Sequence, residues 1–455
     1  MSTLLAEDVQ AGDLGRARWR DRQARKTGVT GVIVQGLSQA IRLVVIPLSI
    51  KMLGVEQYGI WLVVGSLVAW GGVTDLGLAP GLINVIATAQ GRGDRQGVRR
   101  AISTAIAAYG ALAIIIVGLA IVLSQWSGLP RLLGARTPEM VENGRMLVLV
   151  CGSIFAATTL TRVVNTTTTA MQEGYLGLFS FLAGSVASLA LLISVATVGS
   201  KGLLSYALVV TLPPLFAQLG LALYVYGWRH RDLRPGWRWV DRASLQTLWG
   251  FAGPLTVYQI ANLGVLYSAN VLIANRLGAA MVPQYSVPYA AFAVFITAAS
   301  LIVTPYTPAI AEAKVRGDWE WIRRRTQQVI LASVGLFATG GLVIAAIGRP
   351  AIDWWTSSAV VPPIGLLLAL LFFGVFRVAG STINEVLTGL GLVRFAAGAF
   401  VVVSALYVIA SWLALPAFGL VVLPLASGAA HVVYVTVSAI VAFSAINRGR
   451  ATAAA

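Results

Sequence analysis

The chain has few charged residues and very few residues of the kinds that bind transition metals. Of its 455 residues, 11% are charged, whereas soluble domains average about 25%. Its two histidines, His230 and His431, and its one cysteine, Cys151, are too few for a His/Cys metal cluster or for a disulfide within the chain. A G-x-x-x-x-G-K-[ST] phosphate loop is also missing, so we expect neither ATP hydrolysis nor a metal or other cofactor.

Long apolar runs make up most of the sequence. The chain is 57% hydrophobic, with a mean hydropathy of +0.80. Because the runs are continuous and not alternating, they predict an all-α polytopic membrane protein and exclude a transmembrane barrel. At about 20 residues per span, we expect twelve transmembrane helices, at roughly 28–53, 58–85, 100–124, 146–170, 175–199, 203–228, 246–275, 282–311, 327–348, 358–386, 393–416 and 418–445.

The basic residues are distributed unequally between alternate connections. The formal net charge is +16, and 23 of the 33 lysines and arginines fall in the N-terminal arm and in the segments that would share its side of the membrane, against seven on the other side. This asymmetry predicts that both termini are cytoplasmic, and it accounts for the charge without a nucleic-acid partner. No apolar signal-peptide region precedes the first predicted span.

An internal repeat divides the sequence into two halves. At an offset of 224 residues, Leu53-Gly54 recurs as Leu277-Gly278 and Arg92-Gly93-Asp94 recurs as Arg316-Gly317-Asp318. Six spans followed by six in the same orientation predict two pseudo-symmetric lobes around a central cavity. The predicted divisions are a basic arm at 1–27, an N-lobe at 28–228, a connector at 229–245, a C-lobe at 246–445 and a tail at 446–455.

Four ionisable side chains fall inside predicted spans, and they are the first candidates for a site. A charge in mid-bilayer costs about 2.5–3.5 kcal/mol, so Arg42, Asp75, Arg162 and Arg377 should face the protein interior. Arginine presents a fork that matches phosphate oxygens. We expect each arginine either to bind a phosphorylated substrate or to stabilise the helix bundle, and Asp75 either to pair with an arginine or to couple transport to an ion.

Polar side chains accompany these arginines at helical spacing. Gln35, Ser38, Gln39 and Arg42 fall on one face of the first predicted span, with Arg42 near mid-depth. The other polar candidates, in spans four, seven and ten, are Asn165, Gln259, Asn262, Asn270, Ser381 and Asn384. They either line a water-filled cleft or form interhelical hydrogen bonds, worth about 0.6 kcal/mol each. A cationic cavity with amides and hydroxyls suits an amphiphile with a phosphorylated, sugar-bearing head.

The most specific motif lies at the start of the second predicted span. It reads Leu53-Gly54-Val55-Glu56-Gln57-Tyr58-Gly59-Ile60-Trp61 and is followed by Asp75-Leu76-Gly77-Leu78. This sequence resembles that of Wzx-type polysaccharide flippases of the multidrug/oligosaccharidyl-lipid/polysaccharide (MOP) exporter superfamily, and the Gly93-Asp94 and Gly317-Asp318 loops are similar to the same family. The resemblance implies a multi-pass transporter of the bacterial cytoplasmic (inner) membrane, not an enzyme.

The resemblance also implies a substrate and partners. The substrate would be a polyprenyl-diphosphate-linked oligosaccharide, such as an O-antigen, capsule or exopolysaccharide repeat unit, flipped by alternating access while its tail stays in the membrane lipid. Cationic cavity residues would bind the diphosphate, and Arg42, Arg162 and Arg377 are the candidates by position. A glycan polymerase and a chain-length regulator would be partners.

Other interpretations stay open. Asp94-Arg95-x-Gly97-x-Arg99-Arg100 resembles the loop signature of major-facilitator transporters, although Gln90 stands where that signature has glycine. A cation-coupled multidrug exporter of the same superfamily would need a cavity rich in carboxylates, and we count Asp75 as the one carboxylate available. A membrane polymerase or ligase of lipid-linked glycans would need a large outer loop, which the sequence lacks.

Overall fold

The computed structural model describes residues 2–70, 77–199, 202–250 and 254–454, which fold into α-helices with short 3-10 and π turns and no strand. Asp75 therefore lies outside the described residues. The helices are α1 Ser2–Trp70, α2 Leu78–Gly91, α3 Arg95–Gln125, α4 Leu129–Leu133, α5 Pro138–Ala170, α6 Tyr175–Val198, α7 Leu203–Tyr224, α8 Arg242–Gly250, α9 Pro254–Leu277, α10 Met281–Val303, α11 Tyr306–Arg316, α12 Trp319–Trp355, α13 Ile364–Gly389, α14 Val393–Phe418 and α15 Val422–Ala454.

Twelve membrane crossings account for this helix order. Ten helical stretches of the described chain are long and apolar enough to span a bilayer. Two of them contain a break: Thr30–Trp70 is interrupted at Gly54, and Val393–Thr452 at Gly419. Each of these two stretches therefore contributes to two crossings. The part of Thr30–Trp70 that follows Gly54 forms the second crossing of the chain together with α2. The prediction of a polytopic helical membrane protein with twelve spans is confirmed.

The repeated Arg-Gly-Asp sequence forms the same tight turn in both halves. Gly93 and Gly317 have φ angles of 72° and 76°, a left-handed conformation that ends a helix and favours glycine. The next residue caps the following helix: Asp94 accepts a hydrogen bond from the Gly97 amide (2.7 Å), as Asp318 does from the third residue of α12. The sequence repeat is therefore a repeat of structure.

The helices form two lobes joined through a connector that packs on the first. α1–α7 make the N-lobe and α9–α15 the C-lobe. In the connector, the Arg234 carbonyl accepts a hydrogen bond from Arg99 Nε (2.7 Å), and the Asp241 amide donates to the Thr104 hydroxyl (3.0 Å). The α8 helix follows, with the carbonyl of its Leu248 against α2. We call the membrane face that carries both chain termini the terminal face, and the other the distal face.

A buried carboxylate joins two helices at the terminal face. Glu173 lies in the turn between α5 and α6, and its side chain is 8% exposed. Its two oxygens accept hydrogen bonds from Nη2 and Nε of Arg229 (2.6 and 3.0 Å), and His230 lies 3.2 Å away. Burial raises the pKa of Glu173, but the bonds to His230 and Arg229 outweigh it and hold this pKa at about 2.

A serine of α6 compensates for two prolines of α7. Pro213 and Pro214 have no amide hydrogen, so they cannot donate to the carbonyls four residues earlier. The Ser188 hydroxyl lies 2.9 Å from both of these carbonyls, of Val209 and Val210. This contact keeps α7 intact through its proline pair and fixes it to α6, which lines one side of the site described next.

Candidate functional site

A cavity of about 270 Å³ lies where the two lobes meet in the distal half of the membrane. Tyr58, Tyr206 and Tyr285 line it. Tyr206 and Tyr285 lie three and four residues from the distal ends of α7 and α10, and Tyr58 lies four residues, or about 6 Å, from the distal break of α1 at Gly54. We call it the tyrosine chamber. Among the described residues that line it, Arg42 is the one charged side chain.

A second, more open cavity of about 370 Å³ extends from the chamber towards the terminal face. Gln35, Ser38, Gln39 and Arg42 form its α1 side, and α6 and α7 form the other. We call it the terminal cleft. Because Arg42 lines both cavities, its guanidinium marks their junction.

Arg42 lies at the middle of its membrane crossing. It is twelve residues, or about 18 Å, from both Thr30 and Gly54, the ends of that crossing. Its side chain is exposed to the cavities, and no ion pair joins it to another described residue. Arg42 therefore borders both cavities, and none of their described lining residues is a carboxylate.

The other two arginines predicted for the site do not line either cavity. Arg162 is half-buried in α5, with its guanidinium carbon 6.0 Å from the centre of the Phe155 ring. Arg377 is half-buried in α13 beside the Tyr258 hydroxyl, and its Nε has no hydrogen-bond partner. Tyr289 lines the chamber together with Arg42.

Most of the predicted amide side chains are engaged in bonds between helices. The distances are 3.1 Å from Gln39 to Thr297, 2.8 Å from Asn165 to Gln218, 2.9 and 2.7 Å from Asn270 to Ser66 and Ser286, and 3.3 Å from Asn384 to Tyr434. Of these four amides, Asn270 lines the chamber and Gln39 the terminal cleft.

The remaining polar candidates differ in exposure. Gln35 and Gln259 are exposed, and Gln35 lines the terminal cleft. Ser38, also in the cleft, has a buried hydroxyl without a partner, and the side-chain oxygen of Asn262 is likewise buried and unpaired. Ser381 donates to a carbonyl of its own helix.

Two features of the site were missed at the level of sequence. The tyrosines of the chamber are spread over five helices and form no local motif. The count of one carboxylate within the spans was wrong, because Glu385 lies in α13 within the predicted tenth span and accepts a hydrogen bond from the Thr307 hydroxyl.

The distal end of the chamber is closed by backbone contacts between the lobes. A Cβ on Gly59 would overlap the carbonyl group of Ala279, and a Cβ on Gly134 would lie 2.7 Å from the Ala279 amide nitrogen. The Asn275 amide donates to the Arg131 carbonyl (3.2 Å). We call these the distal contacts. On the terminal side of Arg42, the hydrogen bond from Gln39 to Thr297 joins the lobes, and no ion pair between the lobes lies there within the described ranges.

This two-lobed architecture matches the fold of solved MATE transporters. A multidrug resistance MATE family transporter of the MOP superfamily in the inward-facing conformation matches with a TM-score of 0.76 and 15% identity, covering 92% of this chain and 95% of that one. An outward-facing conformation of such a transporter gives a TM-score of 0.64 at 16% identity (93% and 96%).

A third match is a MOP superfamily transporter from Pyrococcus furiosus, for which a reverse polarity of the binding pocket suggests a different function. Its TM-score is 0.65 at 15% identity, covering 93% of this chain and 96% of that one. No protein-family model and no curated protein sequence matches the chain. The chain therefore shares the MATE fold, and it superposes better on the inward-facing than on the outward-facing structure.

Proposed function

We propose that the chain is a flippase that moves a polyprenyl-diphosphate-linked oligosaccharide across the bacterial cytoplasmic membrane, with its terminal face in the cytoplasm. The observation that carries this proposal is Arg42, a cation without an ion-pair partner among the described residues, at mid-membrane where the terminal cleft meets the tyrosine chamber. The twelve-span architecture and the fold of known transporters support transport over catalysis.

The sign of the cavity charge favours an anionic head group over a cationic drug. At an effective dielectric constant of about 20, two unit charges 4 Å apart interact by about 4 kcal/mol. That energy is worth roughly three orders of magnitude in affinity, favourable for a diphosphate beside Arg42 and unfavourable for a cation. Among the described lining residues of both cavities there is no carboxylate that would reverse this preference.

The proposed transport cycle uses the terminal cleft for entry and the distal contacts as the closed exit. The head group enters the terminal cleft while the prenyl tail stays in the bilayer. Arg162 and Arg377 attract the diphosphate into the protein, and Arg42 holds it at mid-membrane. Rocking of the lobes then separates the distal contacts and closes the terminal side, as the inward- and outward-facing structures of this fold suggest.

The direct test is flipping of a fluorescent undecaprenyl-diphosphate-linked oligosaccharide in proteoliposomes. Arg42→Ala should reduce the rate at least tenfold, and Arg42→Lys should retain part of it because the charge stays. Arg162→Ala and Arg377→Ala should also reduce it. The matched control is Arg276→Ala, which removes an arginine that stacks on Trp412, 3.7 Å from its ring centre, away from both cavities.

The alternative is multidrug export, the activity that names one structure with this fold. In the same proteoliposomes, uptake of cationic dyes by the wild type without any flipping of the lipid would establish that alternative. Full lipid flipping by Arg42→Ala would refute the assignment of the site. A glycan polymerase and a chain-length regulator are proposed partners, to be sought by co-purification from a cell that makes the glycan.

A further inference from the structure

Aromatic side chains are concentrated in the chamber beyond Arg42. Six of the 13 tyrosines of the chain line this one cavity, joined by Trp61 and Phe373. The six are Tyr58, Tyr206, Tyr267, Tyr285, Tyr289 and Tyr407. They come from five helices of both lobes, so their convergence is a property of the assembled site and not of one helix face.

The rings are arranged in two groups on opposite lobes. Tyr285 and Tyr289, one turn apart on α10, have nearly parallel rings with centres 6.1 Å apart and an interplanar angle of 10°. In the N-lobe, Trp61 and Tyr206 meet edge to face at 5.1 Å and 88°. Flat apolar faces therefore border the same space from two sides.

The polar groups of the chamber are almost all neutral. Ser427 is 4% exposed, lines the chamber, and has a hydroxyl without a hydrogen-bond partner. Ser286 and Asn270 also line it. A buried hydroxyl without a partner favours a ligand that can hydrogen-bond to it.

These features together select one class of ligand. A prenyl chain would not need the hydroxyls, and a second phosphate would need more cations than Arg42 alone. A cationic ligand would be repelled by that arginine. A sugar ring fits, because its C–H faces pack on aromatic rings while its hydroxyls bond to tyrosine, serine and amide groups.

We propose that the tyrosine chamber is the saccharide subsite, which receives the sugar next to the diphosphate while Arg42 holds the diphosphate at its entrance. This proposal rests on the proposed function and adds the position and chemistry of sugar recognition. The chamber volume of about 270 Å³ is below the roughly 300–1,000 Å³ of pockets that enclose whole ligands. It therefore admits part of the glycan, and the rest lies in the terminal cleft.

The test compares the affinity of two lipids for the purified full-length protein in nanodiscs. One is undecaprenyl diphosphate, and the other is the same lipid carrying a single hexose or N-acetylhexosamine. The wild type should bind the sugar-bearing lipid at least tenfold more tightly. Tyr289→Ala should weaken binding of the sugar-bearing lipid more than that of the bare lipid and so reduce the difference, whereas Tyr289→Phe, which keeps the ring, should retain most of it.

A tyrosine outside the chamber serves as the control for the chamber variants. Tyr224→Ala removes a tyrosine at the end of α7 that lies outside the chamber, and it should leave the preference for sugar unchanged. Tyr267→Ala provides a second chamber variant from another helix. Equal binding of the bare and both sugar-bearing lipids by the wild type would overturn the saccharide subsite, as would equal weakening of bare and sugar-bearing lipid by the chamber variants. Binding of no lipid by the wild type would instead refute the proposed function.

Discussion

Replacing Gly59 by alanine should shift the protein towards a conformation that is open at the distal face. The new Cβ would lie 2.7 Å from the carbonyl carbon of Ala279. Ordinary van der Waals contact begins at 3.4 Å, so the two backbones must separate by at least 0.7 Å. Overpacking of this kind costs about 1–3 kcal/mol. It destabilises only the conformation that is closed at the distal face, because the two backbones touch only there. The ratio of open to closed molecules should therefore rise roughly five- to 150-fold.

Spin labels on the distal face can measure this change. After Cys151 is replaced by serine, cysteines at the exposed positions Glu139 and Trp354 report the distance between the lobes by double electron–electron resonance. Gly65→Ala is the matched control on the same helix, because a Cβ there meets no atom within 4 Å. The reasoning is refuted if Gly59→Ala gives the same distance distribution as the wild type.

Three further predictions concern stability, measured by thermal unfolding in detergent. Glu173→Gln should lower the free energy of unfolding by about 1.5–3 kcal/mol, the value of hydrogen bonds to a charged group. This loss of stability should be complete above pH 4.5 and disappear as the pH falls towards 2, because folding lowers the pKa of Glu173 from 4.5 to about 2. A loss of stability that does not depend on pH would contradict this. Ser188→Ala should lower the free energy of unfolding by about 1 kcal/mol, because it removes the one side-chain hydroxyl shared by the Val209 and Val210 carbonyls. Ser185→Ala should be nearly neutral, because the Ser185 hydroxyl bonds to a carbonyl of its own helix at an exposed position. Asp94→Ala and Asp318→Ala should each cost about 1 kcal/mol through loss of a helix cap, and unchanged melting of both variants would argue against the capped turns.

The sequence was informative where one residue determines local backbone geometry. The Arg-Gly-Asp repeat predicted equivalent positions in two halves, and the left-handed angles of Gly93 and Gly317 show why the sequence recurs. Likewise, Gly54 marks the boundary between two spans because it has a φ angle of 74°. The number of spans followed from the lengths of the apolar runs, since each crossing needs about 20 residues.

Contacts between helices could not be predicted in the same way. Periodicity gives the face of a helix on which a residue lies, but not the helix that faces it. Asn165 follows Arg162 at helical spacing, yet its amide bonds to Gln218, 53 residues later on another helix. The chamber was missed for the same reason, since Tyr58 and Tyr407 meet only after both lobes have assembled.

Direct binding of undecaprenyl diphosphate to the purified protein tests the role of Arg42 most simply. The affinity should fall at least tenfold in Arg42→Gln, which keeps a polar side chain but removes the charge at the junction of cleft and chamber. Equal affinities of the wild type and Arg42→Gln for this lipid would contradict the account.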